Sequence, residues 1–433
     1  QSVKEGKITE AQIDAACRRV LEAKLKLGLF DDPYRYCNED RAKNEVFTDA
    51  NRKEARSTAA QSFVLLKNQG NILPLKKAGT IALVGPLADA KENMTGTWSV
   101  AARFSESISL REGLQKAVGT NAKIVYAKGS NLTEDKTLED NSTLFGKSLH
   151  RDTRSAEEIR NEALRIAKGA DVIVAAVGEA AEMSGEAASR TNLEIPDVQR
   201  DLLKALLKTG KPVVLVLFTG RPLVLKWEEE NVPSILNVWF GGSEAGDAIA
   251  DVLFGDVNPS GKLSTTFPQN VGQVPLYYAH KNTGRPLSGP WFQKFQSNYL
   301  DVSNEPVYPF GFGLSYTSFT YGEPTLSATS MTSTESLTLS VDVTNSGTRD
   351  GAEVIQLYVR DLVGSVTRPV KELRGFQKVM LKAGETKTIS FKITNEELSF
   401  YNSELKWGSE PGKFQLFVGG NSRDTKMIEL ELK

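Results

Sequence analysis

The chain has 433 residues, of which 40% are hydrophobic and 25% charged, and its 53 basic and 54 acidic residues almost cancel. This length exceeds what one ordinary core organises, so we expect at least two domains. The balanced charge and the lack of any run near the roughly 20 apolar residues of a spanning helix argue against nucleic acid and membrane as partners.

The first predicted element is an amphipathic helix over Ile8–Phe30, with Thr9 as its N-cap and Gly28 as its stop signal. Nothing ahead of this helix can bury its apolar face. We therefore expect that the chain begins partway through a larger protein, or that another chain covers the face. After a polar linker, a second helix is predicted over Thr48–Leu66.

From Thr80 onward, strands and helices alternate, which is typical of a mostly parallel sheet covered by helices on both faces. The run Ala170–Val177 is continuously apolar and indicates a central strand. The turn VGPLAD lacks the second and third glycines of a dinucleotide fingerprint, so no Rossmann cofactor site is predicted. Strands are predicted at Thr80–Val84, Lys123–Ala127, Ala170–Val177, Pro212–Phe218 and Pro233–Phe240, and helices at Ser155–Lys168, Asp197–Lys208 and Ser243–Leu253.

The stretch Pro259–Tyr321 is rich in Gly, Pro and aromatic residues and has few periodic runs. We expect an irregular segment that is functional or lies against a neighbouring domain. Beyond it, roughly 100 residues of short alternating strands and turn signals predict a β-sandwich of the immunoglobulin or fibronectin type III kind. These strands are predicted at Thr334–Thr344, Ala352–Arg360, Glu385–Ile393, Lys413–Val418 and Met427–Leu432.

Three glutamates, Glu179, Glu182 and Glu186, follow the predicted central strand in a loop of small residues. The carboxyl end of a strand is where an α/β domain usually keeps its chemistry. The chain has only two cysteines and two histidines. These counts argue against a disulfide scaffold, a CxxC metal site and Ser-His or Cys-His catalysis. Carboxylate chemistry remains, and a solvated acidic loop is the competing interpretation. Arg190 could pair with Glu186 or hold a ligand.

Segments in order along nearly the whole chain closely resemble glycoside hydrolase family three, in its periplasmic β-glucosidase branch. They include SFVLLKNQGNILPL, VGEAAEMSGEAASR, KPVVLVLFTGRPL, HKNTGRP and YPFGFGLSYTSF. The resemblance implies a (β/α)8 barrel, then a mostly parallel six-stranded α/β sandwich, then a fibronectin type III-like domain. It assigns residues 1–47 to the end of the barrel and a linker, 48–268 to the α/β sandwich domain, 269–322 to an irregular connecting segment and 323–433 to the fibronectin type III-like domain.

The resemblance also implies a retaining, exo-acting β-glucosidase, in which the barrel carries an aspartate nucleophile and the sandwich domain supplies the acid/base glutamate. Most of that barrel lies outside this sequence. In one branch the acid/base belongs to an EG motif shortly before GFGLSYT, and no such pair precedes that motif here. We therefore expect it in the glutamate loop. Glu186 is the first choice, because its small neighbours leave its carboxylate approachable. Glu179 is the second choice, with a structural, hydrogen-bonded glutamate as the alternative, and Glu182 is least favoured and expected to be solvated.

Trp98 and Ser99 in the motif TGTWS are predicted to contact substrate, since aromatic rings match the C–H face of a sugar. Ser184 and Arg190 are the other binding candidates. The alternatives are core filling for Trp98 and a plain salt bridge for Arg190. No metal or cofactor is expected.

The expected partners are a β-linked oligosaccharide or an aryl or alkyl β-glucoside, and a barrel domain in the same protein or on a separate fragment. The resemblance implies a periplasmic or secreted protein. The N-terminus has no apolar core or cleavage site, so we expect any export signal to have been removed or to lie outside this chain. A β-xylosidase or other β-glycosidase of the same family, and a non-catalytic carbohydrate-binding or scaffold protein, remain as alternatives.

Overall fold

The computed structural model describes residues 1–142, 150–289 and 291–433. The chain divides into two compact units, Gln1–Glu54 and Ala55–Lys433. In the described part of the chain, no helix has both the length and the apolar character needed to cross a bilayer.

The first unit contains the helix predicted at the N-terminus, α1 (Glu10–Lys26), followed by α2 (Glu39–Glu45) and the start of α3 (Asp49–Ser62). Helix α1 begins with a capping box, in which the Gln12 amide donates to the Thr9 hydroxyl and the Thr9 amide donates to Gln12 Oε1. No residue of α1 is buried.

The second unit starts with a six-stranded sheet of order β1-β6-β5-β4-β2-β3, which is parallel except for β1. This confirms the predicted α/β class. The strands are β1 (Val64–Asn68), β2 (Gly79–Val84), β3 (Ala122–Ala127), β4 (Val172–Gly178), β5 (Val213–Phe218) and β6 (Ser234–Asn237). The helices are α4 (Lys91–Met94), α5 (Leu110–Val118), α6 (Lys136–Asn141), α7 (Ala156–Lys168), α8 (Asp197–Leu207), α9 (Lys226–Asn231) and α10 (Ala245–Phe254).

The predicted helix over Thr48–Leu66 is wrong at its end. Helix α3 stops at Ser62, and Val64–Asn68 forms β1, which pairs antiparallel with β6. The apolar run at the start of β1 is buried. A short apolar run fits either a helix or a strand, and pairing with β6 decides between them.

Alternate residues of β4 enter two different cores, which is why the strand is apolar throughout. Val174 and Ala176 pack into the core that contains residues of α5 and α10. Ile173, Ala175 and Val177 pack into the core that contains residues of α7 and α8. The central strand is thus covered on both faces, as its sequence predicts.

Between Phe254 and Phe319 the described residues contain neither an α-helix nor a strand longer than an isolated bridge. This stretch lies against the sheet, since the Leu314 amide donates to the Leu65 carbonyl of β1 at 2.8 Å. The predicted irregular character of Pro259–Tyr321 is confirmed for its described residues up to Phe319, where strand β7 begins.

Two larger sheets follow, one with strands β13-β10-β7 and the paired β8, the other with order β12-β11-β16-β17-β9, and β14 pairs with β15 in a small two-stranded sheet. Burial alternates along β10, whose inward residues join the core between the sheets. The elements are β7 (Phe319–Tyr321), β8 (Thr325–Leu326), β9 (Ser330–Met331), β10 (Leu337–Asn345), β11 (Gly351–Asp361), β12 (Glu372–Leu381), β13 (Thr386–Ile393), α11 (Asn395–Leu398), β14 (Phe400–Tyr401), β15 (Trp407–Gly408), β16 (Gly412–Gly419) and β17 (Thr425–Leu432). Strand β12 lies at a sheet edge and buries little, so its sequence pattern is too weak to predict it.

Candidate active site at the carboxyl edge of the sheet

Strands β4 and β5 end side by side, because their register pairs Gly178 with Phe218. The next residues of the two strands, Glu179 and Thr219, therefore emerge next to each other, and the Glu179 amide donates to the Phe218 carbonyl at 2.8 Å. A Cβ at Gly178 would lie 2.0 Å from the Phe218 oxygen, so this close approach requires glycine.

Glu179 is fully buried, and its carboxylate is held from three sides. Arg190 Nη1 donates to Oε1 at 2.7 Å, and the Thr219 hydroxyl donates to Oε2 at 2.8 Å. Arg221 Nε lies 3.1 Å from Oε1. Because both carboxylate oxygens accept from fixed groups, this geometry favours the alternative of a structural glutamate over an acid/base role for Glu179.

Glu186 lies farther along the same loop and is exposed. Its carboxylate makes no hydrogen bond or ion pair with any residue that the structure describes. Pairing with Glu186 was one of the roles considered for Arg190, and it is wrong: Arg190 bonds Glu179 through Nη1 and the Glu194 carbonyl through Nη2 at 3.2 Å. The side chain of Arg190 is only 10% exposed, in line with the salt-bridge alternative.

The four predicted binding residues differ in their exposure. Trp98 is 74% exposed, so core filling is wrong for this residue. Ser99 Oγ lies 2.8 Å from both the Gly96 carbonyl and Thr95 Oγ1, within its own loop. Ser184 is buried, and its hydroxyl donates to the Ala181 carbonyl at 3.4 Å. Of these four residues, Trp98 is the one whose side chain is mostly exposed to solvent.

The loop of Trp98 is bonded to the loop of Glu186. The Thr97 hydroxyl donates to Glu182 Oε2 at 3.1 Å, and the Ala181 amide donates to Asn93 Oδ1 at 2.9 Å. Glu182 is thus half-buried and bonded, and the expectation that it is solvated is wrong. These contacts bring the exposed ring of Trp98 and the exposed carboxylate of Glu186 to the same edge of the sheet.

Arg221 is the residue of this site that the sequence interpretation missed. It follows β5 and donates through Nη2 to two carbonyls of the glutamate loop, those of Met183 and Ala188, the latter at 2.7 Å. Its side chain is 18% exposed. The only sequence signal is its place, since an arginine in the motif TGRPL directly after a buried strand lies at the same sheet edge.

Both cysteines, Cys17 and Cys37, are free and exposed. Among the residues with described positions, no group of three or more His, Cys, Asp or Glu side chains is arranged to hold a metal ion. The chemistry available at this edge is that of carboxylates, guanidinium groups and one exposed indole.

Comparison with known proteins agrees with this architecture. Residues 63–316 match the family model "Glycosyl hydrolase family 3 C-terminal domain", and residues 353–422 match "Fibronectin type III-like domain". The chain is 51% identical to the periplasmic beta-glucosidase of Salmonella typhimurium, covering 99% of this chain and 57% of that protein. It is 42% identical to a beta-xylosidase of Formosa agariphila, covering 97% of this chain and 55% of that protein.

The crystal structure of a beta-glucosidase from Listeria innocua in complex with glucose superposes with a TM-score of 0.87 at 40% identity, and the match covers 100% of this chain and 56% of that one. The chain therefore spans a little over half the length of the relatives that it matches.

Proposed function

The chain belongs to glycoside hydrolase family 3, and from this premise we propose that it is the C-terminal part of a retaining β-glucosidase that removes terminal, non-reducing β-D-glucosyl residues. The observation that carries the proposal is the carboxylate of Glu186, which is exposed and unbonded among the described residues at the carboxyl edge of the sheet. The other two glutamates of this loop are bonded within the protein.

In the proposed reaction Glu186 is the acid/base, and the nucleophile is an aspartate of a barrel domain outside this chain. A retaining enzyme needs these two carboxyl groups about 5–5.5 Å apart. The aspartate attacks the anomeric carbon while Glu186 protonates the leaving oxygen, which gives a covalent glycosyl-enzyme. Glu186 then removes a proton from water, and the water displaces the aspartate. An exposed acid/base on one domain can meet a nucleophile from another.

Trp98 is proposed to stack on a sugar ring beside Glu186, because its indole is exposed and its loop is bonded to the loop of Glu186. The names of the Salmonella and Listeria relatives support glucose as the sugar. The Salmonella name also supports a periplasmic or secreted location.

A barrel domain, in the same protein or on a separate fragment, is the proposed partner of α1. Val20, Leu21 and Leu25 on this helix are 46–62% exposed, and such a set of apolar side chains on one helix is typical of a surface that another body covers.

The test is hydrolysis of p-nitrophenyl β-D-glucoside by two proteins. One is this chain alone. The other, called the joined enzyme below, is this chain fused behind the part of the Salmonella protein that it does not cover. We expect turnover only by the joined enzyme. Turnover by the chain alone would contradict the external nucleophile, and sugar binding without turnover by either protein would favour a carbohydrate-binding or scaffold protein.

A β-xylosidase is the second candidate, and the name of the Formosa relative favours it. The same two proteins are assayed with p-nitrophenyl β-D-xyloside. A kcat/KM higher for the xyloside than for the glucoside would select this candidate.

A further inference from the structure

Arg221 is attached to the glutamate loop on both sides of Glu186. Its Nη2 donates to the carbonyl of Met183, which precedes Glu186, and at 2.7 Å to the carbonyl of Ala188, which follows it. One guanidinium nitrogen thus joins the two ends of the short segment that presents the proposed acid/base.

Arg221 is itself held by the end of β5 and by the buried carboxylate. The Arg221 amide donates to the Thr219 hydroxyl at 3.2 Å, and Nε lies 3.1 Å from Glu179 Oε1. Glu179 in turn follows β4 directly, so the guanidinium is anchored on two central strands. A group anchored on strands places a loop more reproducibly than contacts within the loop do.

The segment around Glu186 needs such an anchor. Gly185 has φ +135° and Ala187 has φ +53°, and the second value is unfavourable for a residue with a Cβ. A backbone in this conformation persists only where its surroundings hold it. Glu186 lies between these two residues and has no bonded partner of its own among the described residues.

We propose that Arg221 is the positioning residue of the acid/base, holding the backbone on both sides of Glu186 so that its carboxylate stays at one place on the sheet edge. This inference rests on the proposed function of Glu186. Arginine suits the task because Nη2 donates to both carbonyls while a second nitrogen of the same rigid group, Nε, faces the Glu179 carboxylate. Lysine has one ammonium nitrogen and cannot occupy both places. The competing role, neutralising Glu179, is already filled by Arg190 at 2.7 Å.

The test is a double-mutant cycle in the joined enzyme, with Arg221→Lys, Glu186→Ala and the double variant. The substrates are aryl β-glucosides with leaving groups that range from good (2,4-dinitrophenol) to poor (phenol). We expect Arg221→Lys to lower kcat on the poor leaving group at least about tenfold, since proton donation by general acids contributes about 10²–10⁴-fold. KM and the rate on the good leaving group should stay within about twofold, because the acid matters less there.

In the Glu186→Ala background, Arg221→Lys should cost nothing further, because its effect passes through the missing carboxylate. If the two substitutions lower kcat independently, so that their fold-losses multiply in the double variant, the proposal is overturned. If the joined enzyme is active and Glu186→Ala leaves its rates unchanged, the proposed function is overturned, and this inference with it.

The matched control is Arg374→Lys in the β-sandwich. Arg374 is 19% exposed, donates through Nη2 to the Ser399 carbonyl at 3.0 Å and pairs with Glu372 at 3.3 Å. It resembles Arg221 in burial and partners but lies on β12. Its conservative variant should leave the dependence of rate on leaving group unchanged, and an equal change there would assign the effect of Arg221→Lys to general loss of structure.

A second measurement uses this chain alone and needs no catalysis. The Met183 and Ser184 amides donate to the Ala180 and Ala181 carbonyls at 3.0 and 3.2 Å, in the turn that leads into the segment that Arg221 holds. In Arg221→Lys these two amides should exchange hydrogen at least about tenfold faster than in the unmutated chain, while the amides of β4 keep their rates. Unchanged exchange at Met183 and Ser184 would overturn the proposal.

Discussion

Two buried carboxylates, Glu179 beside the α/β sheet and Glu353 in the sandwich, have similar partners but stand in different surroundings. Glu179 receives a hydroxyl from Thr219 and an ion pair from Arg190. Glu353, on β11, receives the Tyr321 hydroxyl at 2.9 Å and an ion pair from Lys262 at 3.1 Å.

The difference lies in what each carboxylate holds. The partners of Glu353 belong to β7 and to the irregular stretch before it, so this glutamate ties that stretch to a sandwich strand. Glu179 and its partner Arg221 hold a loop that opens at a sheet edge and presents Glu186. The same local chemistry supports packing in one region and, in our proposal, catalysis in the other.

The largest effect is expected for Glu186→Ala in the joined enzyme. Removal of the acid should lower kcat/KM for glucosides with poor leaving groups by about 10²–10⁴-fold. Good leaving groups should be affected far less, and azide should restore turnover of activated aryl glucosides by entering the space of the lost carboxylate. Unchanged rates would eliminate Glu186 as the acid/base.

Glu179→Gln and Glu353→Gln should both lower the free energy of unfolding, each by about 3–5 kcal/mol, because each leaves a cation at a buried site without its carboxylate. Only Glu179→Gln should slow the joined enzyme, by displacing the loop of Glu186. Urea unfolding and kcat for both variants measure the two effects. Azide should not rescue Glu179→Gln, since Glu186 is still present, and rescue would make Glu179 the acid/base.

Trp98→Ala should raise KM of the joined enzyme by a factor of about 2 to 13, the size expected for a stacking contact of about 0.5–1.5 kcal/mol. The free energy of unfolding should change by less than about 0.5 kcal/mol, because the indole is exposed. The control is Trp407→Ala in the sandwich, whose ring lies 4.9 Å from that of Tyr401. A KM that rises equally in both variants would argue against a sugar contact at Trp98.

The smallest effect is expected at Lys371 in the sandwich, where burial and the nearby Arg360 lower the pKa to about 8 from 10.5. Between these two pH values the folded chain binds fewer protons at Lys371 than the unfolded chain does. The contribution of this group to the free energy of unfolding therefore increases as pH rises. For a fully buried group the lowered pKa would correspond to about 3 kcal/mol. Lys371 is only half-buried, so solvent screening should reduce the gain relative to Lys371→Met between pH 7 and pH 10.5 to about 1 kcal/mol. Equal pH dependence in urea unfolding of both chains would contradict the lowered pKa.

The strands of the sheet were predictable where burial on both faces leaves a continuous apolar run, as in Ala170–Val177. The alternation in Thr334–Thr344 was equally informative, because one face of that strand meets a core and the other does not. Val64–Asn68 was not predictable in this way. Its short apolar run fits two structures, and only pairing with β6 selects the strand.

Sequence pattern was enough to predict the α/β class, the sandwich that follows and the loop that holds the candidate glutamates, because burial leaves a periodic pattern and strand ends set where loops lie. The contacts that each glutamate makes came from the fold. Glu179 and Glu186 are the same residue type in one loop, and they differ because strand register brings Thr219 and Arg221 from β5 to the first carboxylate and to the loop backbone beside the second. Contacts between residues far apart in sequence leave no local pattern, so one carboxylate is buried and bonded while the other is left facing outward.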